Sequence, residues 1–309
     1  MSGWAIVAAG LAGAIALPWL LEALRRPVRP GRIRLAHGEY CQLSHGATYC
    51  RWFGKEGDPV LVLIHGLSTP SWVFMGLTRG LTRLGFRVLI YDLYGRGLSA
   101  RPKVAHDRAL YLGQLEELLQ AQEVRGPVAL LGYSMGGAIA TAFAARHPER
   151  VRRLFLLAPA GIALAPMPLL ARATRAGVFG DWLWGLAGAR YLRRSARKDA
   201  RGASVIADLT ARIRRETRSR GYLPALLSSM RHMLDDPLED EHRALAQAGM
   251  PVLAIWGERD EVIPLRAMAR LTEWNHAAHH AVIPGAGHAL VHSHPREVLA
   301  AIAEDLRDD

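Results

Sequence analysis

The sequence predicts an α/β fold: a mostly parallel sheet with helices on both faces, a helical insertion before the last strands, and an apolar helix at the N-terminus. Three observations predict it. Short runs of nearly continuous apolar, β-branched-rich residues recur along the chain, and helical segments separate them; strands buried on both faces read this way. The alternation then stops between Ala160 and Asp235 and resumes afterwards. The first 21 residues, MSGWAIVAAGLAGAIALPWLL, carry no charged side chain.

The apolar run from Trp4 to Leu21 makes roughly 27 Å of helix at 1.5 Å per residue, a short membrane span. It reads as a retained anchor, a cleaved signal peptide or a helix packed on the soluble domain. A signal peptide wants Lys or Arg ahead of its apolar core, and none precedes it here. Ala14-Ile15-Ala16 resembles a cleavage site, yet the apolar character continues through Leu17, Trp19, Leu20 and Leu21, which favours the anchor. Arg25, Arg26, Arg29, Arg32 and Arg34 follow at once, so the positive-inside bias places the downstream domain in the cytoplasm. Pro27 and Pro30 make this basic segment an extended linker. The expected organisation is an anchor over residues 1–24, a basic linker over 25–37, a core over 38–159 and 236–309, and a cap over 160–235.

EYCQLSHGATYCRWF, residues 39–53, reads as a hairpin turning at His45-Gly46 that adds antiparallel strands at one sheet edge. That register sets Cys41 opposite Cys50, close enough to make a disulfide conceivable. Two reduced cysteines on one strand face are favoured, because cytosolic disulfides are rare. The remaining strands fall at residues 59–66, 87–93, 127–133, 153–160, 251–257 and 279–285.

The insertion between Ala160 and Asp235 is Arg-rich and helical. Its apolar residues Met167, Leu169, Leu170, Val178, Phe179, Trp182, Leu183, Trp184, Leu186 and Tyr191 need a surface to cover. Open α/β sheets place their sites at the carboxyl ends of the strands, so the insertion is expected to cap that edge. From Arg172 to Arg220 it holds 13 Arg or Lys against Asp181, Asp199, Asp208 and Glu216. No nucleic-acid-binding motif accompanies this charge, so nucleic acid is not an expected partner. Beside an apolar anchor, anionic lipid headgroups explain it more economically, with a solvated helix face as the alternative.

GYSMG, residues 132–136, fits G-x-S-x-G between a strand and the helix MGGAIATAFAARHP. A tight turn there needs small residues on both sides to lift a serine into a site, and Gly132 and Gly136 supply them. A serine hydroxyl needs a base within reach and a group to orient that base. GERDEVIP leaves Asp260 just past one later strand, and GAGHALVH leaves His288 just past the next.

The order Ser, Asp, His, each after a strand, resembles the α/β hydrolases of the capped esterase, lipase and peroxidase-like group, over about residues 38–305. The resemblance implies Ser134 as nucleophile, His288 as general base and acid, and Asp260 as orienting carboxylate. In LIHGLS, residues 63–68, it implies that the backbone N–H of Leu67, after His65 and Gly66, faces a developing oxyanion together with that of Met135. His65 is then structural. Asp92, in YDLYGRGLSARP, is expected to stabilise a turn rather than serve as the catalytic acid.

The layout is similar to that of membrane-bound monoacylglycerol lipases and implies a small-molecule ester substrate, with lipid contact through the N-terminal helix and basic cap. A carbon–carbon bond hydrolase or a cofactor-free perhydrolase would use the same elbow. A non-catalytic ligand-binding protein on this fold is a third reading, disfavoured by the intact Ser134, Asp260 and His288 set. No cofactor is implied. His276, His279, His280, His292 and His294 lack the spacing of a metal site.

Overall fold

The computed structural model describes residues 3–28, 37–165, 175–200, 202, 204–235 and 237–307. Expectations for Pro30, Arg29, Arg32, Arg34, Met167, Leu169, Leu170 and Arg172 lie outside the described residues.

An 8-stranded sheet runs in the order β1-β2-β4-β3-β5-β6-β7-β8. Its strands are β1 (Glu39–Leu43), β2 (Gly46–Phe53), β3 (Val60–Ile64), β4 (Arg87–Tyr91), β5 (Val128–Tyr133), β6 (Val151–Leu157), β7 (Val252–Gly257) and β8 (His279–Ile283). From β4 through β8 all neighbours pair in parallel, and the β1–β2 hairpin adds the antiparallel edge. β5 and β7 are buried at every position, which is why they read as unbroken apolar runs rather than as alternating ones.

The chain opens with α1 (Gly3–Ala23) and continues through α2 (Met75–Arg83), α3 (Arg108–Ala121) and α4 (Met135–Arg146). The insertion forms α5 (Gly177–Asp199), α6 (Leu209–Glu216) and α7 (Tyr222–His232); α8 (Glu239–Gln247), α9 (Arg266–Trp274), α10 (Leu290–Ser293) and α11 (Pro295–Asp305) complete the order. Two groups of helices flank the sheet: α3, α4, α8 and α9 adjoin in one, and α2, α10 and α11 in the other. α4 is buried from Met135 to Ala144, because its Gly- and Ala-rich surface lets it settle closely on the strands.

The hairpin register differs from the expected one. Leu43 pairs with Gly46, so the turn is Ser44-His45, and Cys41 faces Thr48 while Cys50 faces Glu39. Gly46 takes φ +111°, which only glycine adopts without strain, and so closes the turn one residue early. The pairing shifts by two positions, which preserves the face. Both cysteines are buried free thiols with Sγ atoms 3.6 Å apart.

α5, α6 and α7 share a small core in which Trp184, Leu192, Ile213, Tyr222 and Leu226 are buried, with Leu67 and Trp72 from the main domain packed against it. Val178 and Phe179 were expected to be covered and are instead 71% and 63% exposed. They sit in the first turn of α5, away from that core.

α1 is long and apolar enough to cross a membrane: Trp4–Ala23 has a mean hydropathy of 1.9, and 6% of its most apolar window is buried against the protein. It lies along α5. Trp182 Nε1 donates to the Ala14 carbonyl at 3.1 Å, and a Cβ on Gly185 would stand 2.6 Å from Pro18 Cβ. The junction after α1 is tied down more firmly. Arg26 N–H donates to the Arg218 carbonyl at 3.0 Å, Arg220 N–H donates back to Arg26 at 2.8 Å, and Arg25 Nη1 donates to the Thr217 carbonyl at 2.8 Å.

Candidate active site

The carboxyl ends of β3, β5, β7 and β8 carry the candidate residues, and with only β6 between β5 and β7 the sheet brings residues 65 to 288 into one place. Ser134 follows β5 with φ +53° and ψ −118°, a strained conformation costing roughly 1–3 kcal/mol that surrounding structure must impose. Its N–H donates to the Leu157 carbonyl at 2.9 Å, and its carbonyl accepts from Gly137 at 2.8 Å and Ala160 at 3.0 Å. The flanking glycines make the turn possible. A Cβ on Gly136 would stand 1.9 Å from the Ile64 carbonyl oxygen, and one on Gly132 would stand 2.4 Å from the Gly136 oxygen.

The turn holds Ser134 Oγ 3.0 Å from His288 Nε2. His288 Nδ1 lies 2.9 Å from Asp260 Oδ2; an ionised carboxylate only accepts, so Nδ1 carries the hydrogen and Nε2 is left to accept from the serine. Asp260 is itself held, since Oδ1 accepts from the N–H groups of Val262 and Ile263, both at 2.8 Å. The Tyr133 hydroxyl donates to the His288 carbonyl at 2.9 Å and steadies the loop from below. Such a line can take a proton from a serine as it attacks a carbonyl and return it to the leaving group.

The loop after β3 approaches from the other side. A Cβ on Gly66 would stand 3.3 Å from Ser134 Cβ, so Leu67 follows directly beside the serine. His65 is fully buried; Nδ1–H donates to the Gly66 carbonyl at 2.8 Å and Nε2 accepts from Leu93 N–H at 2.9 Å. Burial pushes its pKa down to about 3, so it stays neutral and both bonds persist across the working range. Met135, the other expected oxyanion donor, opens α4 and is fully buried.

Asp92 is a joint between loops. Oδ1 accepts from Ser71 N–H at 2.8 Å and Ser71 Oγ at 2.6 Å, and Oδ2 accepts from Leu98 N–H at 2.9 Å. Burial raises its pKa, and these hydrogen bonds oppose the rise.

Of three residues that the motifs did not single out for the site, Arg96 and Tyr222 brace the Leu67 loop and Glu216 holds the loop at Gly97. Arg96 is fully buried: Nε donates to the Leu67 carbonyl at 3.0 Å, Nη1 to the Tyr94 carbonyl at 2.9 Å and to the Tyr111 hydroxyl, and Nη2 to Ser229 Oγ of α7 at 2.8 Å. The Tyr222 hydroxyl donates to the Ser68 carbonyl at 2.7 Å. Glu216, at the end of α6, accepts from Gly97 N–H at 3.1 Å and lies 3.8 Å from Arg101. The histidines outside the triad have other roles: His279 meets Asp305 at 2.8 Å, and His280 accepts from Trp256 at 3.1 Å. Among the described residues, no group of three His, Cys, Asp or Glu is placed to hold a metal ion.

A family model described as the alpha/beta hydrolase fold matches residues 59–295. The chain belongs to that family. This α/β hydrolase is 28% identical over 256 residues to 2-hydroxymuconate semialdehyde hydrolase of Pseudomonas sp. strain CF600, covering 80% of this chain and 87% of that one. It is 29% identical over 220 residues to Lipase 1 of Psychrobacter immobilis, covering 67% and 63%. Among solved structures, a membrane phospholipase A described as a bacterial virulence factor superposes with a TM-score of 0.70 at 26% identity, covering 99% of this hydrolase and 97% of that chain. That coverage takes in the N-terminal helix as well as the hydrolase domain.

Proposed function

We propose that the protein is a membrane-anchored serine hydrolase that cleaves carboxylic esters bearing an acyl chain, monoacylglycerols among them. The observation that carries the reaction type is the line from Ser134 Oγ through His288 to Asp260, at 3.0 and 2.9 Å. Ser134 attacks the ester carbonyl while His288 takes its proton. The oxyanion is met by the N–H groups of Leu67 and Met135, donors whose removal costs a few kcal/mol in related chemistry. His288 then protonates the leaving alcohol, an acyl group remains on Ser134, and water activated by His288 releases the acid.

The acyl-chain preference rests on α1, whose apolar surface is exposed apart from the side against α5, and on the likeness to a membrane phospholipase A over almost the whole chain. The cap reaches Leu67 and Trp72, so its residues shape the acyl pocket. The charge bias after α1 places the catalytic domain on the cytoplasmic side. A C-terminal reporter active only in the cytosol tests that orientation; a signal only from a reporter that works outside reverses it.

Hydrolysis of p-nitrophenyl esters and monoacylglycerols of rising chain length tests the substrate class. Activity that rises with chain length is expected, and a preference for acetyl esters would sink the acyl-chain assignment. A second reading keeps the triad and changes the bond cleaved, supported by the likeness to 2-hydroxymuconate semialdehyde hydrolase.

A further inference from the structure

α1 and α5 run side by side in the same direction. Ala14 meets Trp182 and Pro18 meets Gly185, and a little further along, Leu21, Leu24 and Arg25 face Leu186, Ala189 and Arg193 across a cleft of about 570 Å³. Both helices change character at one level. α1 is uncharged until Glu22, and basic residues follow it; α5 begins GVFGDWLWGLAGA and ends RYLRRSARKD. Two parallel neighbours that turn basic at the same height mark the boundary between hydrocarbon and headgroups; the one charge in the first half of α5, Asp181, is paired with Arg231 at 2.6 Å. The exposed Val178 and Phe179 fall on the hydrocarbon side of it.

The cleft sits at that boundary and is two-faced. Leu21, Leu24 and Leu186 give it an apolar lining, and Arg25, Arg26, Arg193 and Arg218 add positive charge. A smaller cavity of about 150 Å³ adjoins it through Arg193 and adds Arg197 and Arg214. Counter-charge is sparse: Glu22 pairs with Arg25 at 3.1 Å, whereas Arg193 Nε donates to a neutral partner, Thr217 Oγ1, at 2.8 Å. Burial, then repulsion from Arg218, Arg25, Arg214 and Arg197, lowers the Arg193 pKa. An anion relieves that repulsion, and guanidinium groups are matched to phosphate.

We infer that the α1–α5 cleft is a binding site for one anionic phospholipid, its phosphate held by Arg193 and Arg218 and its acyl chain laid on Leu21, Leu24 and Leu186. The inference rests on the reading of α1 as a membrane anchor. None of Ser134, His288 and Asp260 lines the cleft, so this lipid is separate from the substrate. A lipid there joins α1 to α5 of the cap and to Thr217 and Arg218, next to buried Glu216, which holds the loop at Gly97.

The test uses the full chain carrying Ser134→Ala, which removes turnover of the probe, in a neutral detergent. Native mass spectrometry measures retention of dioctanoyl phosphatidylglycerol, of dioctanoyl phosphatidylcholine and of inorganic phosphate. One phosphatidylglycerol per chain is expected, held about tenfold or more tightly than phosphatidylcholine, and Arg193→Gln and Arg218→Gln should each weaken it about tenfold. Leu186→Gln should weaken the lipid and leave phosphate binding unchanged. In the Ser134 background, Arg193→Gln should still hydrolyse p-nitrophenyl butyrate, which shows that the variant is folded.

Equal retention of phosphatidylcholine, indifference to the arginine variants, phosphate bound as tightly as the lipid, or a lipid-free dimer with the cleft covered by a second copy would each overturn the site. The anchor is tested apart from it. Release of the chain from membranes by alkaline carbonate would end the anchor reading whatever the detergent experiment gives.

Discussion

The hydroxyl of Tyr222, in the first turn of α7, donates to the carbonyl of Ser68 at 2.7 Å. The residue before it, Gly221, donates its N–H to Glu22 of α1 at 2.5 Å. Two adjacent residues therefore connect the N-terminal helix to the loop that contains Leu67. Tyr222→Phe keeps the packing and removes one buried hydrogen bond, leaving the Ser68 carbonyl without its donor. A loss of about 1 kcal/mol in stability is expected, with a severalfold fall in kcat and little change in KM, since the loop acts on the transition state. Steady-state kinetics on a soluble ester, beside urea unfolding, measures both.

Arg96 braces the same loop with a planar fork of donors that a lysine cannot reproduce. Arg96→Lys should leave the Leu67 or Tyr94 carbonyl without this buried donor and destabilise the fold by about 1–3 kcal/mol. The drop in kcat should exceed that of Tyr222→Phe, because Leu67 itself is released. A thermal midpoint equal to wild type would show that the guanidinium is dispensable.

Gly136→Ala tests the turn. The new methyl would meet backbone, the Ile64 carbonyl oxygen at 1.9 Å, and backbone cannot step aside as a flexible side chain can. A cost of about 1–3 kcal/mol, or failure to fold, is expected. An alanine variant with wild-type stability and activity would mean that the turn is far more open than described.

Burial pushes the Glu216 carboxyl up to about 7, against the nearby Arg101. Its folded pKa is then above its unfolded one, so the folded state binds more protons between about pH 4.5 and 7 and its stability falls as pH rises through that window. Glu216→Gln retains an acceptor for Gly97 N–H and abolishes the titration. Unfolding free energies at a series of pH values should therefore show a shallower decline for the variant than for wild type. Parallel curves would place the Glu216 titration outside this range.

Much of the candidate site is legible in the sequence because its residues stand just past strands. β5, β7 and β8 could be located as apolar runs, and Ser134, Asp260 and His288 follow them in chain order. The braces are not legible. Arg96, Tyr222 and Glu216 act through contacts to residues 29 to 154 positions away, and no local pattern distinguishes a buried Arg96 from the many exposed arginines. The hairpin register is not legible either, because His45-Gly46 and Ser44-His45 are both acceptable turn centres, and only the positive φ of Gly46 chooses between them. Val178 and Phe179 read as cap core by composition; they stand exposed in the first turn of α5, ahead of the residues that pack into the helical core.

The central claim is that Ser134 is an activated nucleophile, and labelling of membranes containing the protein with a fluorophosphonate probe tests it most directly. The wild-type chain should be labelled, and Ser134→Ala and His288→Ala should abolish or strongly reduce the signal while remaining folded. An unlabelled wild type, or equal labelling of Ser134→Ala, would contradict the account.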